Sequence, residues 1–193
     1  MNRLMQISLR RVTTLAQKLV ADCLEVGDTA IDATAGTGED TCFLAKSVGT
    51  NGIVYAFDVQ QAAIKQTKQK LKQKGLSSQV TLLLDGHEHL ENYTEIISKK
   101  NIKGIMFNLG YLPNSDEAII TKKETSLQAL ACSAEMLASG GRMTICLYRH
   151  EQSEEECQAI EEWAKKLGHI FDVHRFETIN HNNPPYLIVI EKK

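Results

Sequence analysis

The stretch Asp32-Ala33-Thr34-Ala35-Gly36-Thr37-Gly38-Glu39-Asp40-Thr41 constrains the fold of this chain more than any other. The apolar run Thr29-Ala30-Ile31 leads into it, and Cys42-Phe43-Leu44-Ala45, with a helical pattern, leads out. Strand, tight glycine turn and helix make the first half of a βαβ nucleotide site. Gly36 and Gly38 let the backbone bend and let a ligand approach where a Cβ would clash. The third glycine of G-x-G-x-x-G is missing, and Thr41 stands in its place. Asp32, at the strand end, is a poor neighbour for a pyrophosphate and suits a cation or a hydroxyl instead.

The chain has 193 residues, 42% of them hydrophobic and 24% charged, which predicts one soluble domain, residues 1–193, with a sizeable core. No apolar run is long enough to span a bilayer, and Met1 to Arg11 holds no apolar segment of the kind a signal peptide needs. The cysteines Cys23, Cys42, Cys132, Cys146 and Cys157 are odd in number and form no C-x-x-C pair. They predict buried thiols in a reducing, cytoplasmic setting. No residues have metal-ligand spacing, so no metal is expected. A net charge of −2 excludes a general electrostatic grip on nucleic acid, so any RNA site must be a local basic patch.

Helical spacing of Leu15, Leu19 and Leu24 predicts a first helix over Thr13 to Leu24, stopped by Gly27. Its basic side, Arg10, Arg11 and Lys18, is either a solvated face or part of a phosphate contact. Ile53 to Phe57 reads as the second strand, closed by Asp58 about 20 residues after the glycine turn, where a carboxylate meets ribose hydroxyls; the alternative, an exposed strand-end aspartate or helix cap, is disfavoured by the glycine turn before it. Gln60 follows, within reach of an adenine edge. S-adenosylmethionine offers an ammonium, a sulfonium and ribose hydroxyls and carries no phosphate, which fits Asp32 and Asp58 together. Gln61 to Leu71 predicts a helix with a lysine-rich solvated face, stopped by Gly75.

Val80 to Leu84 is the third strand; Asp85, Gly86 and His87 at its end are placed to frame an adenine, His87 being alternatively a helix-start residue with no ligand, and His89 reads as helix surface. Ile102 to Phe107 is the fourth strand, followed by Asn108-Leu109-Gly110-Tyr111-Leu112-Pro113. Asn108 offers a carbonyl that can hold an amine by its hydrogens, and Tyr111 a ring on which a base can stack. The alternative is a capping Asn and a packed Tyr. A helix from about Ser126 to Leu137 leads to strand five, Met143 to Leu147, with Tyr148, Arg149 and His150 at its end. An acidic amphipathic helix, Glu151 to Lys166, carries Trp163 on its outer face. Phe171 to Phe176 and Tyr186 to Ile190 are joined by a polar loop too short for a helix, so they pair as an antiparallel hairpin.

Taken together, DATAGTGEDT at Asp32–Thr41, YAFDVQ at Tyr55–Gln60, DGHE at Asp85–Glu88, FNLGYLP at Phe107–Pro113 and NNPP at Asn182–Pro185 resemble one small methyltransferase family over nearly the whole chain. It is the YtqB-like family labelled rRNA methylase, whose characterised members, called MnmM, methylate the aminomethyl group on the wobble uridine of bacterial tRNA. The resemblance implies an α/β, class I methyltransferase (Rossmann-like) domain: a seven-stranded mixed sheet with a C-terminal antiparallel hairpin. It implies S-adenosylmethionine as cofactor and a tRNA anticodon stem-loop as partner; a homodimer stays open. On that pattern Asp58, Gln60 and His87 bind the cofactor, with Thr37, Asp40 and Gly86 nearby, and Asn108 and Tyr111 lie at the acceptor. Asp32, Thr34, Gly36, Gly38, Thr41 and Asp85 complete the expected cofactor site.

The chain departs from the family where Thr37 and Glu39 replace the Asn and His of GNGHDT, and where Gly86 replaces a Ser. It departs again where Arg149-His150-Glu151-Gln152-Ser153 replaces a GHPGG-like stretch. Methyl transfer to an amine needs the neutral amine, which Asn108 with nearby carbonyls, or a base such as His150, would favour. RNA would meet the rim: Arg10, Arg11, Lys122, Lys123, Arg149 and His181. Competing readings are a methyltransferase for ribosomal RNA or a small amine, a nicotinamide-dependent oxidoreductase, and a non-catalytic cofactor-binding module.

Overall fold

The computed structural model describes residues 11–97, 101–110 and 121–193. Seven strands, Thr29–Asp32 (β1), Ile53–Phe57 (β2), Val80–Leu83 (β3), Ile102–Leu109 (β4), Arg142–Leu147 (β5), Phe171–Glu177 (β6) and Tyr186–Lys192 (β7), form one sheet of order β3-β2-β1-β4-β5-β7-β6. β1 to β5 are parallel, and β7 runs antiparallel to both β5 and β6. The reversed strand therefore lies inside the sheet, and β6 is its edge. The strand order changes direction at β1, next to β4, which opens a crevice at the carboxyl ends of those two strands.

Each central strand is apolar on both faces, because successive side chains point to opposite sides and both sides are covered. Ile31, Tyr55, Phe57, Phe107 and Ile145 join one buried cluster, while Ala30, Val54, Met106 and Cys146 join the other. Helices Val12–Ala21 (α1), Glu39–Val48 (α2) and Gln61–Lys74 (α3) cover the second cluster. The short Thr94–Ile97 (α4) and the longer Lys123–Met136 (α5) and Glu154–Lys165 (α6) cover the first. Full burial of a side chain such as Phe57 or Ile31 stabilises the fold by about 1.5–3 kcal/mol.

The element boundaries differ from the sequence reading in instructive ways. α1 stops at Ala21, where the next residues tighten: Cys23 N–H donates to Val20 O and Leu24 N–H to Ala21 O. α3 runs on from the expected Leu71 to Lys74, and Gly75, at φ +67°, stops it as expected, with Leu76 N–H donating to Leu71 O. β4 continues through Asn108 and Leu109 because β5 extends beside it, pairing Asn108 with Cys146 and Leu109 with Leu147. A 3₁₀ stretch, His87–Tyr93, and α4 fill the connection before β4. Trp163 is not simply outer-face: it packs against the first cluster.

Candidate active site

The glycine turn is built around Asp32, which is completely buried. Its Oδ2 meets the Thr41 hydroxyl at 2.5 Å, and its Oδ1 accepts the Thr34 N–H at 3.1 Å. Thr34 passes the constraint on, since its hydroxyl accepts the Asn108 N–H at 2.8 Å and so locks the ends of β1 and β4 together. Gly36 N–H donates to Asp58 Oδ2 at 2.8 Å, and Gln60 N–H to Asp58 Oδ1 at 2.8 Å. Asp58 is thereby aimed across the turn with a lone pair on each oxygen left for a ligand.

A cleft of about 630 Å³ lies over these strand ends. Its floor is Ala33 to Thr37 with Asp40, and one wall is Asp58 to Gln60 with Asp85, His87 and Glu88. Asn108 and Gly110 stand at the β4 end. The mouth carries Arg11, Thr13, Thr14 and Gln17 from the start of α1, and Thr121, Lys122 and Thr125 from the start of α5.

Thr34, Gly36, Thr37, Asp40, Asp58, Gln60, Asp85, His87 and Asn108 are thus brought together as the sequence predicts, with Arg11 and Lys122 at the rim. Other expected site residues sit elsewhere. Asp32 and Thr41 are buried beneath the turn and hold its shape rather than touch the cleft. Gly38, at φ +79°, makes room for α3 and not for a ligand: a Cβ there would lie 2.8 Å from the Thr67 hydroxyl. Gly86 is buried behind the wall. His150 is outside the cleft wall, its N–H donating to Ser153 Oγ at the next turn. Lys123 is paired with Glu155, which raises the lysine pKa, so it is not an open cation. Arg149 and His181 line a separate groove. Arg10 and Tyr111 lie outside the described residues.

Several participants had no local signature. Gln17 Nε2 donates to Asp40 Oδ1 at 2.7 Å across a sequence gap of 23. Asp85 faces the cleft, but its Oδ1 takes Gly86 N–H and the His89 ring at 2.6 Å, and its Oδ2 takes the Tyr93 hydroxyl. His89 is therefore a brace for Asp85 as well as helix surface. Glu88 folds its carboxylate into the space that a side chain at residue 86 would fill. Its presence in the wall adds a carboxylate that sequence reading passed over.

Charge and burial set the chemistry. Burial, and then the nearby Asp40 charge, push Asp32 up to about 7. Burial also raises Asp40 and Asp58 and lowers His87, whose ring lies edge-on to Phe107 and whose Nε2 is buried without a hydrogen-bond partner among the described residues. Burial raises Tyr148, and its contact with the Asn108 side chain works against that rise. Asp40 and Asp58 beside the turn disfavour a pyrophosphate and favour hydroxyl donors and a cation.

Because Asp32 holds its proton to a higher pH when folded than when unfolded, its contribution to stability is fully present below the ordinary aspartate range. That contribution is lost as pH rises through about 7. Asp32→Asn should therefore raise the melting temperature at pH 8 relative to the parent, with the gain shrinking towards pH 4. Calorimetric scans across that range check it; a constant offset would show that Asp32 is ionised throughout.

The family described as "Putative rRNA methylase" matches residues 54–191. The chain is 31% identical, over 193 aligned residues, to the tRNA (mnm(5)s(2)U34)-methyltransferase, chloroplastic, of Arabidopsis thaliana, covering 95% of this chain and 70% of that protein. The crystal structure of a protein of the same description from Clostridium thermocellum superposes with a TM-score of 0.91 at 39% identity, covering 96% of this chain and all of that one. SMU.1697c of Streptococcus mutans, solved in complex with SAH, gives 0.84 at 36% identity, covering 95% and 98%. No described helix is long and apolar enough to cross a membrane, and the plant relative's name places that protein in the chloroplast, so the cytoplasmic expectation rests on the thiols alone. With the sheet order, the phosphate-averse turn and these likenesses in hand, the chain belongs to the rRNA methylase family of methyltransferases.

Proposed function

We propose that this chain transfers a methyl group from S-adenosylmethionine to the aminomethyl nitrogen of a 5-aminomethyl-(2-thio)uridine at the wobble position of tRNA, held in its anticodon stem-loop. The observation that carries the reading is the placement of Asp58 and Asn108 at opposite ends of one cleft, across the turn at β1. Asp58 suits the ribose hydroxyls, and His87 and Glu88 suit the adenine side. Asn108 suits an amine: it stands at the β4 end of the cleft, with its side chain beside that of Tyr148. The likeness to the plant tRNA enzyme supports the choice of RNA and of base.

The cofactor, when bound, supplies an electrophilic methyl on sulfur. The chain's task is placement. Asn108 Oδ1 accepts a hydrogen of the neutral amine and directs its lone pair inward. The N–C bond forms as the S–C bond breaks, and the surplus proton leaves the amine for water. Incubating the protein with labelled S-adenosylmethionine and a stem-loop bearing 5-aminomethyl-2-thiouridine tests this. Mass spectrometry should find the methylaminomethyl product; label on an unmodified stem-loop or a ribosomal RNA fragment instead would overturn the substrate.

The rim makes a quantitative difference between two neighbouring lysines. Lys122 is exposed at the cleft mouth, whereas Lys123 is paired with Glu155. Lys122→Ala should lower the slope of log affinity against log salt by about one, and Lys123→Ala should leave it nearly unchanged. Equal slopes for both variants in filter binding would remove Lys122 from the RNA contact.

A further inference from the structure

A second groove, of about 630 Å³, lies between the end of β5 and the loop joining β6 to β7. It is lined by Arg149, Glu177 to Ile179 and His181 to Pro184. We propose that this groove holds the base of the nucleotide next to the one that is methylated, and reads it by its edge. The proposal rests on the RNA reading above and adds a subsite to it.

Position comes first. β6 is parallel to β1–β5, so the loop after it lies on the same strand-end edge as the cleft. Arg149 directly follows Tyr148, whose hydroxyl meets Asn108.

Charge comes second. Arg149 Nη1 lies 2.7 Å from Glu177 Oε1, and Arg175 Nη2 lies 2.7 Å from Glu177 Oε2. Arg175 also reaches Glu161 at 3.0 Å, and both guanidinium groups sit 4.6 Å from the Tyr186 ring centre. Two arginines and two glutamates cancel. Arg149 is clamped and neutralised by Glu177. A phosphate would find Glu177 in the same wall. The groove therefore suits an uncharged occupant.

Surface chemistry comes third. Asn182 and Asn183 are exposed, and their side chains make no hydrogen bond to another described residue. Amide side chains offer one donor and one acceptor group side by side, the pattern that pairs with a base edge. Ile179 is 95% exposed and presents an apolar surface, while Pro184 is buried. An apolar surface beside unpaired amides matches a nucleobase, which has an apolar face and a polar rim. Asn183 holds φ +47°, a conformation glycine adopts without strain, so Asn183→Gly removes the amide while keeping the backbone.

The test uses the full chain and stem-loops that carry the acceptor nucleoside, with each flanking base varied in turn. Binding is measured by fluorescence anisotropy over a series of salt concentrations. The parent protein should prefer one flanking base by about tenfold. Asn182→Ala combined with Asn183→Gly should erase that preference and leave the salt slope unchanged, because base contacts release no counterions. Lys122→Ala should do the reverse, lowering the slope and keeping the preference. A double variant that lowers the slope would show the groove to be a phosphate contact. One that keeps both slope and preference would show that it does not meet RNA. Either result overturns the proposal. Failure of the parent protein to bind any stem-loop would instead overturn the RNA reading itself, and with it this subsite. Melting temperatures of the variants confirm that the loop change has not unfolded the chain.

Discussion

Asn108→Ala should lower kcat by about a hundredfold, the scale on which a misplaced nucleophile slows a reaction governed by orientation. The fold should survive. The change deletes one hydrogen bond to Tyr148, about 1 kcal/mol, which shifts the melting temperature of a chain this size by about 2–4 °C. The backbone bond from Asn108 N–H to the Thr34 hydroxyl does not depend on the side chain. Asn108→Asp separates placement from acidity. Its carboxylate still accepts from an amine but stabilises the unreactive ammonium form, so activity should return as pH rises, more steeply than in the parent. Single-turnover methylation across pH reads this. Full activity in Asn108→Ala, or a parent-like profile in Asn108→Asp, would move the acceptor away from β4.

Asp58→Ala should weaken S-adenosylmethionine binding by about 10- to 150-fold, corresponding to about 1.5–3 kcal/mol for hydrogen bonds to a charged acceptor. The loss has two sources. The ligand loses its carboxylate, and the N–H groups of Gly36 and Gln60 lose the acceptor that fixes the turn. Burial raises the Asp58 pKa, and the ionised form is the one that accepts from hydroxyls. Affinity should therefore fall on acidification at a higher pH than an ordinary aspartate would give. Titration calorimetry at several pH values checks both statements; parent-like affinity in Asp58→Ala would sever Asp58 from the ligand.

The difference between what could be read from the chain and what could not follows from the range of the interactions. The continuous apolar runs through Met106-Phe107 and Ile145-Cys146 follow from a sheet covered on both faces, so the strands were legible. Asp58 was legible because strand, glycine turn, helix and strand fix its distance from Gly36. α1 was legible as a helix, since periodicity tells which side is buried. Periodicity does not name the neighbour, so Gln17 against Asp40 was invisible. The ion pairs of Lys123 with Glu155, 32 residues apart, and of Arg149 with Glu177, 28 apart, were invisible for the same reason. The brace on Asp85 is local, but it depends on a 3₁₀ stretch that places His89 and Tyr93 together, and a helix reading at 3.6 residues per turn does not anticipate it.

β7 is made after every other strand yet sits between β5 and β6. While the ribosome is still reading towards residue 192, β5 is an uncovered, apolar sheet edge, with Met143, Ile145 and Leu147 waiting for Ile190, Ile188 and Tyr186. β6 has by then been synthesised, but among the described strands it pairs with β7 alone. The nascent chain can thus assemble a five-stranded parallel core early, and it closes the sheet in one late step that inserts a strand rather than adding one at the rim. Until that step the β5 edge is the most adhesive part of the molecule, so the interval between synthesis of β5 and of β7 is when this protein most needs protection from its neighbours.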